Sequence, residues 1–136
     1  MTIWSAGRFA ALRAMFSEDC PVVSIAGACM APALSAGRRL PVVAARRYWP
    51  GDVLVFLGHD GGLYAHRLIG LYRRCGRWRY LTQADNAVRP DASLTRERIL
   101  GRLAGGVGLR WRVRAMARFI GFCWRRVPVL VFRTIT

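Results

Sequence analysis

Short β-type runs separated by turn signals are the feature that most constrains what this chain can fold into. Such runs occupy residues 22–28, 52–57, 63–72, 77–82 and 99–107. Between them lie turn-forming stretches, among them Pro50-Gly51, His59-Asp60-Gly61-Gly62 and Arg89-Pro90-Asp91. Several short strands with few helices predict a mainly β protein, built as a small open antiparallel sheet or barrel.

The length of 136 residues predicts a single domain over 1–136, because one domain commonly takes about 100–200 residues. The hydrophobic content of 54% exceeds the usual ~45–50%, which favours a folded chain over a disordered one. Within this domain the sequence predicts an N-terminal amphipathic segment (1–19), a β-rich core (20–108) and a basic amphipathic segment (109–136).

Both ends of the chain carry helical patterns that arginines interrupt. Residues 1–19 lack the uninterrupted apolar stretch of a signal peptide, and residues 109–126 form a basic amphipathic pattern that we expect Pro128 to end. Neither pattern reaches the ~20 apolar residues of a membrane span. Each helix can lie on a membrane surface or pack on the domain's own core, and we expect a cytoplasmic protein or one peripheral to the cytoplasmic membrane.

All of the basic side chains are arginines. The 22 arginines stand against seven acidic residues, and the absence of lysine excludes Schiff-base chemistry, a phosphate-binding P-loop lysine and a serine–lysine dyad. The net charge of +15 favours an anionic partner, such as lipid headgroups, an acidic peptide or nucleic acid. Nucleic acid ranks last, because the arginines are spread along the chain and no nucleic-acid-binding motif is present.

The cysteine pattern predicts free thiols. The four cysteines, at positions 20, 29, 75 and 123, are irregularly spaced and form no Cys-x-x-Cys pair. With only His59 and His66 as further nitrogen ligands, the sequence predicts neither a zinc site nor any other cofactor.

Four segments, taken in order, form a more specific pattern. Residues 27–32 read Gly-Ala-Cys-Met-Ala-Pro, residues 50–56 Pro-Gly-Asp-Val-Leu-Val-Phe and residues 65–69 Ala-His-Arg-Leu-Ile. The fourth, 80–86, reads Tyr-Leu-Thr-Gln-Ala-Asp-Asn, and Asp91 follows it. Over about residues 24–103 this series resembles the catalytic core of the signal peptidase I family, in particular the serine–histidine form of archaea and the endoplasmic reticulum. The resemblance implies an open, mostly β catalytic domain with a hydrophobic substrate groove.

The resemblance also implies roles for individual residues. Position 29 is that of the nucleophile, His66 that of the base and Asp91 that of the acid, with Asp85 as second choice. Cys29 replaces the family's serine, Ala84 replaces a glycine, and Gly27 lacks the hydroxyl that donates to the oxyanion in many signal peptidases. The backbone N–H of Cys29 would then stabilise the oxyanion.

Chemistry alone assigns the same roles to two of these residues. A thiol must be deprotonated to attack, and an imidazole is the natural partner in a chain without lysine. His59 lies in a glycine-rich turn and is expected to be solvated, so His66 is the expected base. A third group should accept the other imidazole N–H, as in a Cys29/His66/Asp91 triad.

The neighbouring motif residues are expected to support the site. They are Gly27, Ala28, Met30, Pro32, Arg67 and Asp85. We expect Met30 to line the groove or fill the core, Asp85 to order its loop, and Arg67 to pair with a nearby carboxylate.

The sequence therefore predicts a peptidase with a cysteine nucleophile that removes a leader or signal segment from a precursor peptide. An extended substrate would add as a strand along an edge of the groove. Two alternatives remain within this fold: a catalytically degenerate peptide-binding module, and an acyl transferase or ligase. Binding of nucleic acid is the remaining alternative outside it.

Overall fold

The computed structural model of the chain describes residues 4–27, 30–31, 33–34, 36–105 and 107–135. Two helices, α1 (Ala6–Glu18) and α2 (Leu109–Ile135), flank a β region. Its strands are β1 (Val22–Ser24), β2 (Arg39–Val43), β3 (Val53–Leu57), β4 (Leu63–Arg74), β5 (Arg77–Gln83) and β6 (Ile99–Leu103). A 3₁₀ helix, Arg96–Arg98, leads into β6.

The strands form one antiparallel sheet in the order β1-β2-β6-β3-β4-β5. Strands β1 and β5 are its edges, so the sheet is open. The prediction of a mainly β fold with an open antiparallel sheet and a helix at each end is confirmed.

Strand β3 is the centre of the core, and all five of its residues are buried. Because side chains alternate along a strand, Val53, Val55 and Leu57 face one apolar cluster while Leu54 and Phe56 face another. A strand buried on both faces needs a continuous apolar sequence, and the sequence of β3, Val-Leu-Val-Phe-Leu, is one.

Helix α1 packs on the domain's own core. Its first turn is capped by Ser5, whose hydroxyl accepts a hydrogen bond from the backbone N–H of Arg8 at 3.4 Å. Phe9 is buried in the first apolar cluster, and Leu12 and Phe16 pack against that cluster. One face of α1 is thereby used within the chain.

Helix α2 packs across the outside of β4 and β5. Ala115 is buried with Ile69 and Leu81, and Phe119 packs against this group. The approach is close, because a Cβ atom added at Gly70 would lie 2.3 Å from the ring of Phe119. Gly70 therefore lets the helix rest directly on the backbone of β4.

Two predicted strands are shorter in the structure than expected. Strand β1 ends at Ser24 rather than at residue 28, and β6 ends at Leu103 rather than at residue 107. A glycine with positive φ follows each strand, Gly27 at 82° and Gly105 at 119°, and this left-handed backbone cannot continue a strand. The other predicted strands differ from the observed ones by no more than two residues at either end.

The sequence analysis predicts no strand over residues 39–43, where the structure has β2. Pro41 disfavours a strand in that stretch, since it has no N–H to donate. Its carbonyl is nevertheless used, because the backbone N–H of Ala104 donates to it at 2.8 Å. Pairing with β1 on one side and β6 on the other is therefore kept.

The expectation that Pro128 ends the C-terminal helix is wrong, because α2 continues to Ile135. A proline inside a helix removes the one hydrogen bond that its N–H would make four residues back, and it bends the helix without having to end it. Among the described residues, neither helix has the length and apolar character that crossing a bilayer requires.

Candidate active site

The hairpin of β3 and β4 positions the imidazole of His66. His66 pairs with Leu54 across the two strands, which places its side chain on the same face of the sheet. The rings of Phe56 and Tyr64 lie 5.8 and 5.7 Å from the imidazole, centre to centre. Only 12% of the His66 side chain is exposed, so the imidazole is held by packing.

Asp91 lies directly behind this ring. Its Oδ2 is 2.7 Å from Nδ1 of His66, and its side chain is 29% exposed. An ionised carboxylate only accepts hydrogen bonds, so Nδ1 is the ring nitrogen that carries the proton. In the neutral ring Nε2 is then free to accept a proton, which is the state a general base requires.

Thr82, in β5, holds Asp91 in place. The Thr82 hydroxyl donates to Oδ2 of Asp91 at 2.8 Å, and the backbone N–H of Asp91 donates to the Thr82 carbonyl at 2.8 Å. Thr82 is fully buried. The sequence analysis assigns no role to this residue, although a β-branched residue with a hydroxyl, two positions before the Ala84-Asp85-Asn86 segment, is a usable signal.

Arg67, which follows His66 in β4 and points to the opposite face of the sheet, forms a buried ion pair with Asp85. Two guanidinium N–H groups of Arg67 donate to the two oxygens of Asp85, each at 2.7 Å, and a third donates to the Gly51 carbonyl at 2.7 Å. Their side chains are 6% and 2% exposed. The expected pairing of Arg67 with a carboxylate is present, and Asp85 is too fully engaged with it to serve as the partner of His66.

The nucleophile segment is described in part. Gly27 has φ of 82°, a conformation that favours glycine. Met30 is buried in the core, and its sulfur accepts a hydrogen bond from the backbone N–H of Asp85 at 3.4 Å. Of the two places expected for Met30, the structure has it in the core. The predicted site residues Ala28, Cys29 and Pro32 lie outside the described residues.

A cleft of about 220 Å³ lies between His66 and the chain that leads into this segment. It is lined on one side by residues 23–26 and on the other by residues 63–66, with Val55 between them. Strands lie about 4.8 Å apart, so in a flat sheet β1 and β4 would be separated by roughly 19 Å. The shared cleft shows that the sheet curls, which brings the chain leading into the nucleophile segment towards the imidazole.

A second cleft of about 240 Å³ lies on the Asp91 side of the ring. Its lining includes Tyr64, His66, Asp91 and the turn residues His59 and Asp60. The Tyr64 hydroxyl donates to Asp60, and this bond lowers the pKa of the Asp60 carboxyl and raises the pKa of the Tyr64 hydroxyl. His59 is exposed, as expected, and its Nε2 lies 3.2 Å from the Ser93 carbonyl.

A wider cleft of about 750 Å³ lies elsewhere, between α1 and the region of the 3₁₀ helix. The guanidinium groups of Arg13, Arg96 and Arg98, which line it, donate to backbone carbonyls. No histidine lines it. It offers no nucleophile with an adjacent base, and the pair of clefts at His66 is the better candidate site.

Within the described part of the chain, no three histidine, cysteine or acidic side chains lie close enough together to bind a metal ion. The described cysteines, Cys20, Cys75 and Cys123, are free and exposed. Comparison of the chain with protein-family models and with curated proteins finds no match.

Proposed function

We propose that this chain is an endopeptidase that uses Cys29 as nucleophile, His66 as general base and Asp91 to orient the base, and that it removes a leader or signal segment from a precursor peptide. The hydrogen-bonded series Thr82, Asp91 and His66 carries the proposal. It is the arrangement that a thiol nucleophile needs behind its base, and it borders a cleft lined by the chain that leads to Cys29.

The reaction would proceed in two steps. His66 takes the thiol proton at Nε2, the sulfur attacks the scissile carbonyl carbon, and the backbone N–H of Cys29 donates to the oxyanion. The C–N bond breaks as His66 gives its proton to the leaving amine, which leaves a thioester. Water, deprotonated by His66, then attacks the thioester carbonyl, and the sulfur leaves and is reprotonated.

The anchoring of Met30 supports the assignment of the nucleophile. This residue follows Cys29 in the chain, and its sulfur contacts Asp85, which is bound to the arginine next to His66. Met30 is therefore tied through Asp85 and Arg67 to β4, the strand that carries the base, and it packs on the face of the sheet opposite to the His66 ring.

The substrate would bind as an extended strand. Strand β1 is an edge of the sheet and adjoins the 220 Å³ cleft, so a peptide can pair with its outer side. The cleft is lined largely by small and aliphatic side chains, and it would accept small apolar residues of the substrate.

Alkylation by iodoacetamide tests the nucleophile without knowledge of the substrate. We expect Cys29 to react at about pH 6 at least tenfold faster than Cys20, Cys75 and Cys123, because a thiol paired with an imidazole is partly ionised there. The variant His66→Ala should slow Cys29 to the rate of the other three, and the matched control His59→Ala should leave it unchanged.

Cleavage is tested with synthetic leader peptides that carry small residues before the cut, analysed by mass spectrometry. The wild type should cut them, Cys29→Ala should not, and Asp91→Asn should keep a small residual activity. Equal slow alkylation of all four cysteines together with no cleavage would contradict the proposal and favour the non-catalytic peptide-binding module.

A further inference from the structure

Helix α2 carries a stripe of large apolar side chains that nothing in the described chain covers. The stripe consists of Leu109, Val113, Met116, Ile120 and Trp124, whose exposed fractions are 77%, 56%, 52%, 64% and 76%. At about 100° per residue these five positions fall within an arc of about 80°. They form one continuous row along four turns of the helix.

The helix cannot turn this row towards its own core. The opposite side already packs on the sheet through Ala115, Phe119 and Phe122, and the centre of the stripe lies about 140° around the helix from Ala115. Phe119 rests against the backbone at Gly70. The orientation of α2 is therefore set by packing, and the stripe points away from the domain.

The charge of α2 is entirely basic. The helix contains seven arginines and no acidic residue. Arg110 is exposed and lies about 80° around the helix from the centre of the stripe, whereas Arg114 and Arg118 lie more than about 100° from it and donate to the carbonyls of Asp85 and Ala84. A helix with an apolar row, a tryptophan at one end of that row and only basic charges has the pattern of a helix that lies in the interface of an anionic bilayer.

We propose that α2 docks on the surface of an anionic lipid bilayer, with the stripe at the boundary of headgroups and acyl chains and Arg110 at the lipid phosphates. The inference is independent of the peptidase proposal. Each arginine near such a surface strengthens the attraction, and the net charge of +15 attracts the whole chain to it.

Other occupants fit the surface less well. Nucleic acid would engage the arginines and leave the apolar stripe in water. A second copy of the chain, packed stripe against stripe, would bring together two chains that each carry a net charge of +15, and like charges repel. A bilayer satisfies both parts of the surface at once.

The test is flotation of the full chain with lipid vesicles. We expect binding to vesicles of equimolar phosphatidylcholine and phosphatidylglycerol, little binding to phosphatidylcholine alone, and weaker binding as salt increases. The variant Ile120→Asp should reduce binding to the anionic vesicles by about tenfold or more, because a carboxylate then faces both the acyl chains and the lipid phosphates.

Matched variants separate docking from damage to the fold. Trp124→Ser should weaken binding, whereas Trp78→Ser, at an exposed tryptophan of β5 away from α2, should leave it within about twofold. The double variant Met116→Gln/Ile120→Gln keeps good helix formers and should lose binding with unchanged circular dichroism.

Four results would overturn the proposal. The first two are equal binding to neutral and anionic vesicles, and equal binding of Ile120→Asp and the wild type to the anionic vesicles. Another is preferential binding of duplex DNA that Ile120→Asp leaves unchanged. The last is a dimer of the wild type without lipid that Ile120→Asp dissociates, which would assign the stripe to a second copy of the chain.

Discussion

Thr82 shows how one buried hydroxyl selects the carboxylate that orients an imidazole. Asp85 and Asp91 both lie near β4, yet Asp85 is bound to Arg67 while the Thr82 hydroxyl and the His66 ring share the same oxygen of Asp91. A carboxylate with two donors on one oxygen has a defined direction. Thr82 is therefore a positioning residue for the proposed base.

Replacing Thr82 by valine should loosen this arrangement while keeping the side-chain shape. We expect Thr82→Val to lower the free energy of unfolding by about 1 kcal/mol, the net value of one buried hydrogen bond. Since Asp91 then loses a donor that fixes it, ¹⁵N NMR should show a larger share of the His66 tautomer protonated at Nε2.

Thr82→Ser, which keeps the hydroxyl, is the matched control and should restore the tautomer ratio of the wild type. A loss of stability in Thr82→Val with no change in the His66 tautomer would mean that Thr82 has only a structural role.

The Asp60–Tyr64 pair gives a prediction about pH. The Tyr64 hydroxyl is the main cause of the lowered pKa of Asp60, with the backbone N–H of Gly62 second. A carboxyl with a lowered pKa stabilises the fold above its unfolded pKa, and this contribution is lost as the pH falls through the folded pKa. Tyr64→Phe should therefore raise the pKa of Asp60 and weaken the acid dependence of stability.

The measurement is a titration of the Asp60 carboxyl carbon by NMR. Tyr72→Phe, at a tyrosine that packs against α2 instead, should leave that titration unchanged. An unaltered Asp60 pKa in Tyr64→Phe would show that the Tyr64 hydroxyl does not lower it.

At the scale of the elements, the close contact between α2 and β4 is possible because residue 70 is a glycine. Gly70→Ala should destabilise the protein by about 1–3 kcal/mol, because the added methyl group overlaps the ring of Phe119 and overpacks the contact. Gly121→Ala, in α2 with open space around its Cβ position, should stabilise it by roughly 0.5–1 kcal/mol through helix propensity.

Urea unfolding of the two variants measures both effects. If Gly70→Ala were as stable as Gly121→Ala, the helix would not rest on the strand at that point. The comparison also bears on the apolar stripe, since the direction of the stripe depends on this packing.

The sequence predicts some elements well for a physical reason. Strands β3, β4 and β5 combine β-type residues with strong turns at both ends, so local signals determine them. Strand β2 forms instead by pairing with β1 and β6, and β6 is distant in the chain. Pro41 is tolerated there because its carbonyl accepts a hydrogen bond and its missing N–H is not needed. In α2 the local signal of Pro128 is present, but the helix continues past it.

At the scale of the whole molecule, the sequence predicted which residues belong to the candidate site, but it predicted only part of their spatial arrangement. The motif order indicated His66 and Asp91, and the structure brings their side chains within hydrogen-bond distance. The motif order could not indicate Thr82. Its role depends on how the loop that carries Asp91 folds back on β5, which brings the Thr82 hydroxyl to the Asp91 carboxylate. The curl of the sheet, which makes the cleft, is likewise a property of all six strands together.

Several arginines of this molecule donate hydrogen bonds to its own backbone. Hydrogen bonds from Arg13, Arg96, Arg98, Arg112, Arg114 and Arg118 end on carbonyl oxygens. Trp111 adds an aromatic ring that lies 4.5 Å from the guanidinium of Arg67, 5.1 Å from that of Arg110 and 5.4 Å from that of Arg114. In a chain with 22 arginines and seven acidic residues, carbonyl oxygens and an aromatic ring thus hold guanidinium groups that have no carboxylate partner to hold them.

Peptide dipoles thus act as internal counter-ions, with one difference from carboxylates. A dipole immobilises a guanidinium group without cancelling its charge. The molecule can therefore hold a dense field of positive potential in a fixed shape, and that field remains available to attract an anion from outside.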